Sequence, residues 1–236
     1  MIDFRNEWNR FYAAFRGGIL AFLILLLFTL SIFTCLGIRY TILDTRITVQ
    51  KSAYMVDRYA YNGLTAREQE LYDALYDAAS AGKSRTRVVP FAFDNDTFFR
   101  VINCMASDYP ELYLLNLDAC ELEIDYHRSR VKLSYIADSD AEARMEEAIA
   151  EILPDDMDSI SEEEIELTIH DALVRRCRQS GETDVLASAY GALVYGKTDS
   201  RGYAAAFRLL CERAGISCFT LLGTVDDIMH AWNIVY

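Results

Sequence analysis

Hydrophobic residues follow three different rhythms along this 236-residue chain. The first is a continuous run. Residues 19–38 carry no charge, and Ile19-Leu20-Ala21-Phe22-Leu23-Ile24-Leu25-Leu26-Leu27-Phe28 is apolar throughout. About 20 such residues cross the hydrocarbon core of a bilayer. The run is longer than the roughly 7–15 apolar residues of a cleaved signal peptide, and no small-x-small cleavage site follows it. Phe33 and Thr34 are poor residues ahead of a lipidated Cys35. The stretch therefore reads as an uncleaved signal anchor. Arg5, Arg10 and Arg16 precede it, partly offset by Asp3 and Glu7, and Arg39, Arg46 and Lys51 follow. The charge asymmetry is slight; the short N-terminal tail favours a cytoplasmic tail and an extracytoplasmic body.

The second rhythm has the three- and four-residue spacing of amphipathic helices. Thr65-Ala66-Arg67-Glu68 fits a capping box, with Leu71, Leu75 and Ala78 continuing an apolar face. Residues 96–107 repeat the pattern with Phe98, Val101, Ile102 and Met105. Residues 139–153 form a third helix, with a capping box at Ser139 and Glu142 and a stop at Pro154. Ser161 with Glu164 caps a fourth, whose face is Ile165, Ile169, Leu173 and Arg176 or Cys177. The last helix carries Ala204, Phe207, Leu210, Cys211 and Ala214 and stops at Gly215, which puts Ser200 at or beside its N-terminus.

The third rhythm is alternation. Leu112-Tyr113-Leu114-Leu115, then Leu122, Ile124 and Tyr126, then Val131, Leu133 and Tyr135 read as strands, the last two joined at His127-Arg128-Ser129-Arg130. In a final strand His230, Trp232 and Ile234 share one face, and Ala231, Asn233 and Val235 the other. The organisation predicted is a tail over 1–18, a transmembrane segment over 19–38, a connector over 39–60, a small α+β domain over 61–153 and a second α+β core over 154–236.

Composition narrows the function. The chain is 52% hydrophobic and 25% charged, as a folded protein is. A net charge of −13 argues against nucleic-acid binding, which needs a basic surface to replace counterions. Residues 138–171 are strongly acidic and read as a solvated face, with metal or cationic-partner binding as the lesser alternative. Asp94-Asn95-Asp96 lacks the glycine and distant glutamate of a calcium loop, and reads as a turn and helix cap. Of the six cysteines, Cys35 falls in the apolar run. Cys104, Cys120, Cys177, Cys211 and Cys218 show no metal-ligand spacing and read as small buried residues. Neither a metal nor a cofactor is expected.

A residue at a helix N-terminus facing a strand histidine is the arrangement of thiol acyl-transfer enzymes: the helix end acidifies the nucleophile and can hold an oxyanion, and the histidine serves as base. Ala189-Tyr190-Gly191-Ala192-Leu193-Val194-Tyr195-Gly196-Lys197, Gly202-Tyr203-Ala204 with Phe207, Ala214-Gly215-Ile216-Ser217-Cys218, Gly223-Thr224 and His230-Ala231-Trp232-Asn233-Ile234-Val235 resemble, in order and spacing, the transglutaminase-like superfamily core of bacterial membrane and secreted proteins. The resemblance covers most of residues 161–236. It implies a papain-like α+β framework with a Cys-His-Asp triad, and it likens residues 61–153, loosely, to the small domain that often precedes this core. Ser200 takes the nucleophile position, His230 that of the base, and Tyr190 is a candidate oxyanion donor. His170-Asp171 resembles a pair on the helix before the core, with a packing or hydrogen-bonding role.

Two departures from the family pattern shape the expectation. Ser200 and Arg201 stand where the family has cysteine and usually an acidic residue, and the triad aspartate, due on a following strand, is absent because the chain stops at Tyr236. The core is thus expected to be C-terminally incomplete. A serine hydroxyl needs a placed, oriented general base far more than a thiol does. The chain is expected to be a membrane-anchored, catalytically inactive binding or scaffold module at the cell surface, with a peptide, protein or cell-wall peptide as partner. The alternatives are a truncated or Cys-to-Ser form of an active thiol acyl-transferase or peptidase acting on peptide or glutamine amides, and an enzyme that uses Ser200 itself.

Overall fold

The computed structural model describes residues 58–154, 156–180 and 186–236. The transmembrane segment expected over 19–38 and most of the connector lie outside them. Among the described residues no helix is long and apolar enough to cross a membrane.

These residues form a mixed α+β domain in which helices dominate and the sheets are small. The helices are α1 (Tyr59–Asn62), α2 (Ala66–Ala79), α3 (Asn95–Asp108), α4 (Ala141–Ala150), α5 (Glu162–Arg176), α6 (Ala189–Leu193) and α7 (Ser200–Arg213). Three two-stranded sheets accompany them: β1 (Glu121–Asp125) with β2 (Arg128–Lys132), the short parallel pair β3 (Arg178–Gln179) and β4 (Lys197–Thr198), and the long hairpin β5 (Cys218–Val225) with β6 (Ile228–Val235).

Local chemistry explains most helix starts. Thr65 and Ser161 each accept from the amide three residues on, and Glu68 and Glu164 reach back to the cap amides, completing both predicted capping boxes. Asp94 caps α3 by accepting from Thr97 N at 2.7 Å. The expected inward residues of α2 and α3 are all buried. The predicted box at Ser139 does not form: α4 begins at Ala141, no side chain caps it, and the Asp138 carboxylate instead accepts from Asp140 N at 3.0 Å. The run at 112–115 is not a strand either. Pro110–Leu112 is a 3-10 turn, and only Leu115 bridges, to Tyr135. The β1–β2 turn is Tyr126-His127, tighter than predicted, with Tyr126 at φ 53°.

The core beside the last hairpin is built by α4, α5, α6, α7 and the start of β5. Met145, Ile169, Tyr190, Leu193 and Leu210 are wholly enclosed there. Two glycines permit this packing. A Cβ on Gly191 would fall 2.1 Å from Leu186 O, and one on Gly202 would fall 1.9 Å from Thr198 Oγ1. Gly215, at φ +76°, ends α7 as predicted.

Before α2, α1 docks on a buried carboxylate. Asp108, at the end of α3, accepts from Ala60 N at 3.0 Å, Tyr61 N at 2.9 Å and Tyr72 Oη at 2.8 Å, with the buried Arg208 guanidinium at 3.9 Å. Tyr59 stacks on Phe219 of β5, ring centroids 4.5 Å apart. The β5–β6 turn is Asp226-Asp227, both at positive φ (51° and 62°), the two-residue turn whose twist matches a right-handed hairpin.

Candidate functional site

Ser200 is the first residue of α7, and β4 delivers it there. Thr198 is fully buried, and its hydroxyl donates to Leu186 O at 2.7 Å, fixing the strand-to-helix turn. The cap of α7 is Asp199, not Ser200. The Asp199 carboxylate accepts from Arg201 N at 2.9 Å and Gly202 N at 3.2 Å. It also accepts from Arg201 Nε at 2.7 Å, while the other end of that guanidinium grips Asp118 at 3.0 and 2.9 Å.

His230 lies on β6 opposite Gly223. Its ring packs on Trp232, centroids 4.7 Å apart. Gly223 leaves room for this, since a Cβ there would meet the indole at 3.0 Å. The predicted alternation holds: Ala231 is buried and Asn233 and Val235 partly so, whereas Trp232 and Ile234 are exposed.

Ser200 and His230 line one open cleft of about 380 Å³, with His170, Tyr203, Phe207 and Asn233. Among the described residues no hydrogen bond joins Ser200 to His230, and no carboxylate engages the His230 ring. Asn233 has a role that the sequence alone did not suggest. Its amide donates to Ala204 O at 3.0 Å and Thr220 Oγ1 at 3.4 Å, and approaches Cys218 Sγ at 3.6 Å, stapling β6 to the N-terminal half of α7. His170, expected to pack or hydrogen-bond, is exposed on the cleft wall with Nδ1 3.2 Å from Asp171 Oδ1.

Tyr190 offers no donor to this cleft. It is buried in α6, stacks on Tyr113 and donates its hydroxyl to Asp138 Oδ2 at 2.7 Å. Burial and that hydrogen bond push its pKa up to about 12. The oxyanion expectation at Tyr190 thus meets a hydroxyl already committed elsewhere.

The electrostatics at Ser200 follow from the cap. A helix N-terminus acidifies a neighbouring nucleophile through free amides and partial positive charge. Here two of those amides are bonded to the Asp199 carboxylate, which is also paired with the Arg201 guanidinium. The five described cysteines are buried with free thiols. Burial pushes Cys104 up to about 11. Cys218 is shifted down, chiefly because it accepts from the Cys211 S–H, but is shut off from solvent. Comparison with known proteins finds no family model that matches the chain and no match among curated proteins.

Proposed function

We propose that the chain is a single-pass membrane protein, held through residues 19–38 with its body outside the cell, whose C-terminal region is a transglutaminase-like core on a papain-like framework. In this reading the core binds a peptide segment of a protein or of the cell wall and does not process it. Ser200 stands at the nucleophile position and His230 at that of the base. The observation that carries the reading is the Asp199 cap: with Arg201 N and Gly202 N bonded to a carboxylate, these two amides are withheld from a serine alkoxide or an oxyanion. The packing of His230 on Trp232, without an orienting acid, agrees.

A second reading draws on the shared cleft. Ser200 and His230 line the same cleft, which is compatible with a Cys-to-Ser form of an active acyl-transferase or peptidase. One experiment separates the two. The protein and its Ser200→Cys variant are assayed for amide hydrolysis and for amine incorporation into glutamine-containing peptides. Binding without turnover by either supports the non-catalytic module. Turnover gained by Ser200→Cys supports the substituted enzyme, and turnover by the natural chain that Ser200→Ala removes would overturn the proposal.

A further inference from the structure

The cleft does not end at Asn233. A second hollow of about 540 Å³ shares His170, Phe207 and Asn233 with it, so the two form one groove beside α5. Along that helix Glu162, Glu163, Glu166, His170, Leu173 and Val174 follow one another down the wall. At 1.5 Å per helical residue, the distance from Glu162 to Val174 is about 18 Å. An extended chain rises about 3.3 Å per residue, so roughly five residues fit.

The lining of the far half is two-sided. Phe207, Ile216 and Val235 make it apolar, and Glu162, Glu163 and Glu166 line it with carboxylates. Among the described residues no lysine or arginine lines either half. Among the described residues these three glutamates have no ion pair or side-chain hydrogen bond, while Glu164, which faces away from the groove lining, closes the capping box. The helix dipole favours negative charge in the first turn, which accounts for Glu162 and Glu163. It does not account for Glu166, half-buried a turn further on. Uncompensated carboxylates over an apolar floor favour a partner that brings both apolar side chains and positive charge.

Building on the peptide-cleft reading above, we propose that this groove selects an extended basic peptide. Apolar side chains lie over Phe207 and Val235, and a lysine or arginine sits against Glu162, Glu163 and Glu166, three or four residues from the segment beside Ser200 and His230. That spacing follows from the roughly 12 Å of helix between Glu162 and His170.

The test uses the full 236-residue chain in neutral detergent, with fluorescein-labelled Ala-Leu-Ala-Leu-Lys-Lys and its Gln-Gln and Glu-Glu counterparts read by anisotropy. The Lys-Lys peptide should bind roughly tenfold tighter than Gln-Gln at low salt, with the advantage shrinking as salt screens it. Glu162→Gln/Glu163→Gln/Glu166→Gln should erase the preference and leave Gln-Gln binding unchanged. Glu166→Gln alone, outside the first turn, should reduce it without a capping effect. A control of equal charge change at exposed positions, Asp77→Asn/Glu142→Gln/Glu147→Gln, should keep it. Equal binding of Lys-Lys and Gln-Gln, or loss of the preference in the control, overturns basic selectivity alone. Failure of all three peptides to bind overturns the peptide-cleft reading and this inference with it.

Discussion

The carboxylate at the end of α3 and those along α5 are spent in opposite ways. Asp108 is enclosed, and its oxygens are taken by two amides, a phenol and a buried guanidinium, all from its own chain. Glu162, Glu163 and Glu166 lie along a groove and have no such partner among the described residues. A buried charge with its donors in place is part of the framework, and removing it strands them. A charge left uncompensated beside an apolar hollow costs the fold little to keep and remains free for something outside the chain.

The largest test of this contrast is stability. Asp108→Ala strands the Tyr72 hydroxyl and two α1 amides, while Arg208 keeps Glu212 at 2.7 Å and Ser107 O at 2.6 Å, and should cost about 3–5 kcal/mol in urea unfolding, whereas Glu166→Gln should stay within about 0.5 kcal/mol. Similar losses from both would erase the distinction. The site half also has its committed positions. Gly202→Ala drives a Cβ into Thr198 Oγ1 and should cost about 1–3 kcal/mol, read as a lowered melting temperature; an unchanged melt would mean that the β4–α7 turn is looser than described.

Reactivity gives a smaller, sharper measure. Ser200→Cys, at a position that lines the cleft, should be alkylated by iodoacetamide faster than any of the five described native thiols, none of which lines it. In that background Asp199→Ala, freeing Arg201 N and Gly202 N, should speed the reaction roughly tenfold at neutral pH, the effect of one pKa unit on thiolate population. An unchanged rate would refute the quenching role given to Asp199.

The smallest effect concerns an exposed pair. The hydrogen bonds from Arg213, at 3.0 and 2.7 Å, hold the Glu146 carboxyl below its ordinary value of 4.5. A depressed acid stabilises the fold above its unfolded pKa, and that stability is lost as pH falls through the folded value. Glu146→Gln should therefore melt slightly lower than the natural chain at pH 7, by no more than about 1 kcal/mol for a solvated pair. The gap should close towards pH 3, and a gap that widened in acid would contradict the assignment.

What could be read from the chain was whatever local chemistry decides. Thr65 with Glu68 and Ser161 with Glu164 formed their boxes because cap and partner are three residues apart and no nearer group competes. At Ser139 the neighbouring aspartates supplied a competing turn. At 112–115 a four-residue apolar run had no period to separate strand from 3-10 turn, and Pro110 favoured the latter. In the site, helix and strand periodicity placed Ser200 and His230. It could not tell which of Asp199 and Ser200 would cap α7, since both residues cap well. Nor could it show the groove, whose walls come from α5, α7 and β6 and meet only through tertiary packing.

The Asp226-Asp227 turn imposes an odd–even rule on the cleft. It has no spare residue, so every position of β6 is addressed by counting from it, and His230 is the third residue after it. One inserted residue would exchange the His230 and Trp232 set with the Ala231 and Asn233 set, pulling the Asn233 staple off α7. Two inserted residues would restore the faces but slide them by about 7 Å along the strand. The length of this hairpin is therefore quantised, and the cleft inherits its count.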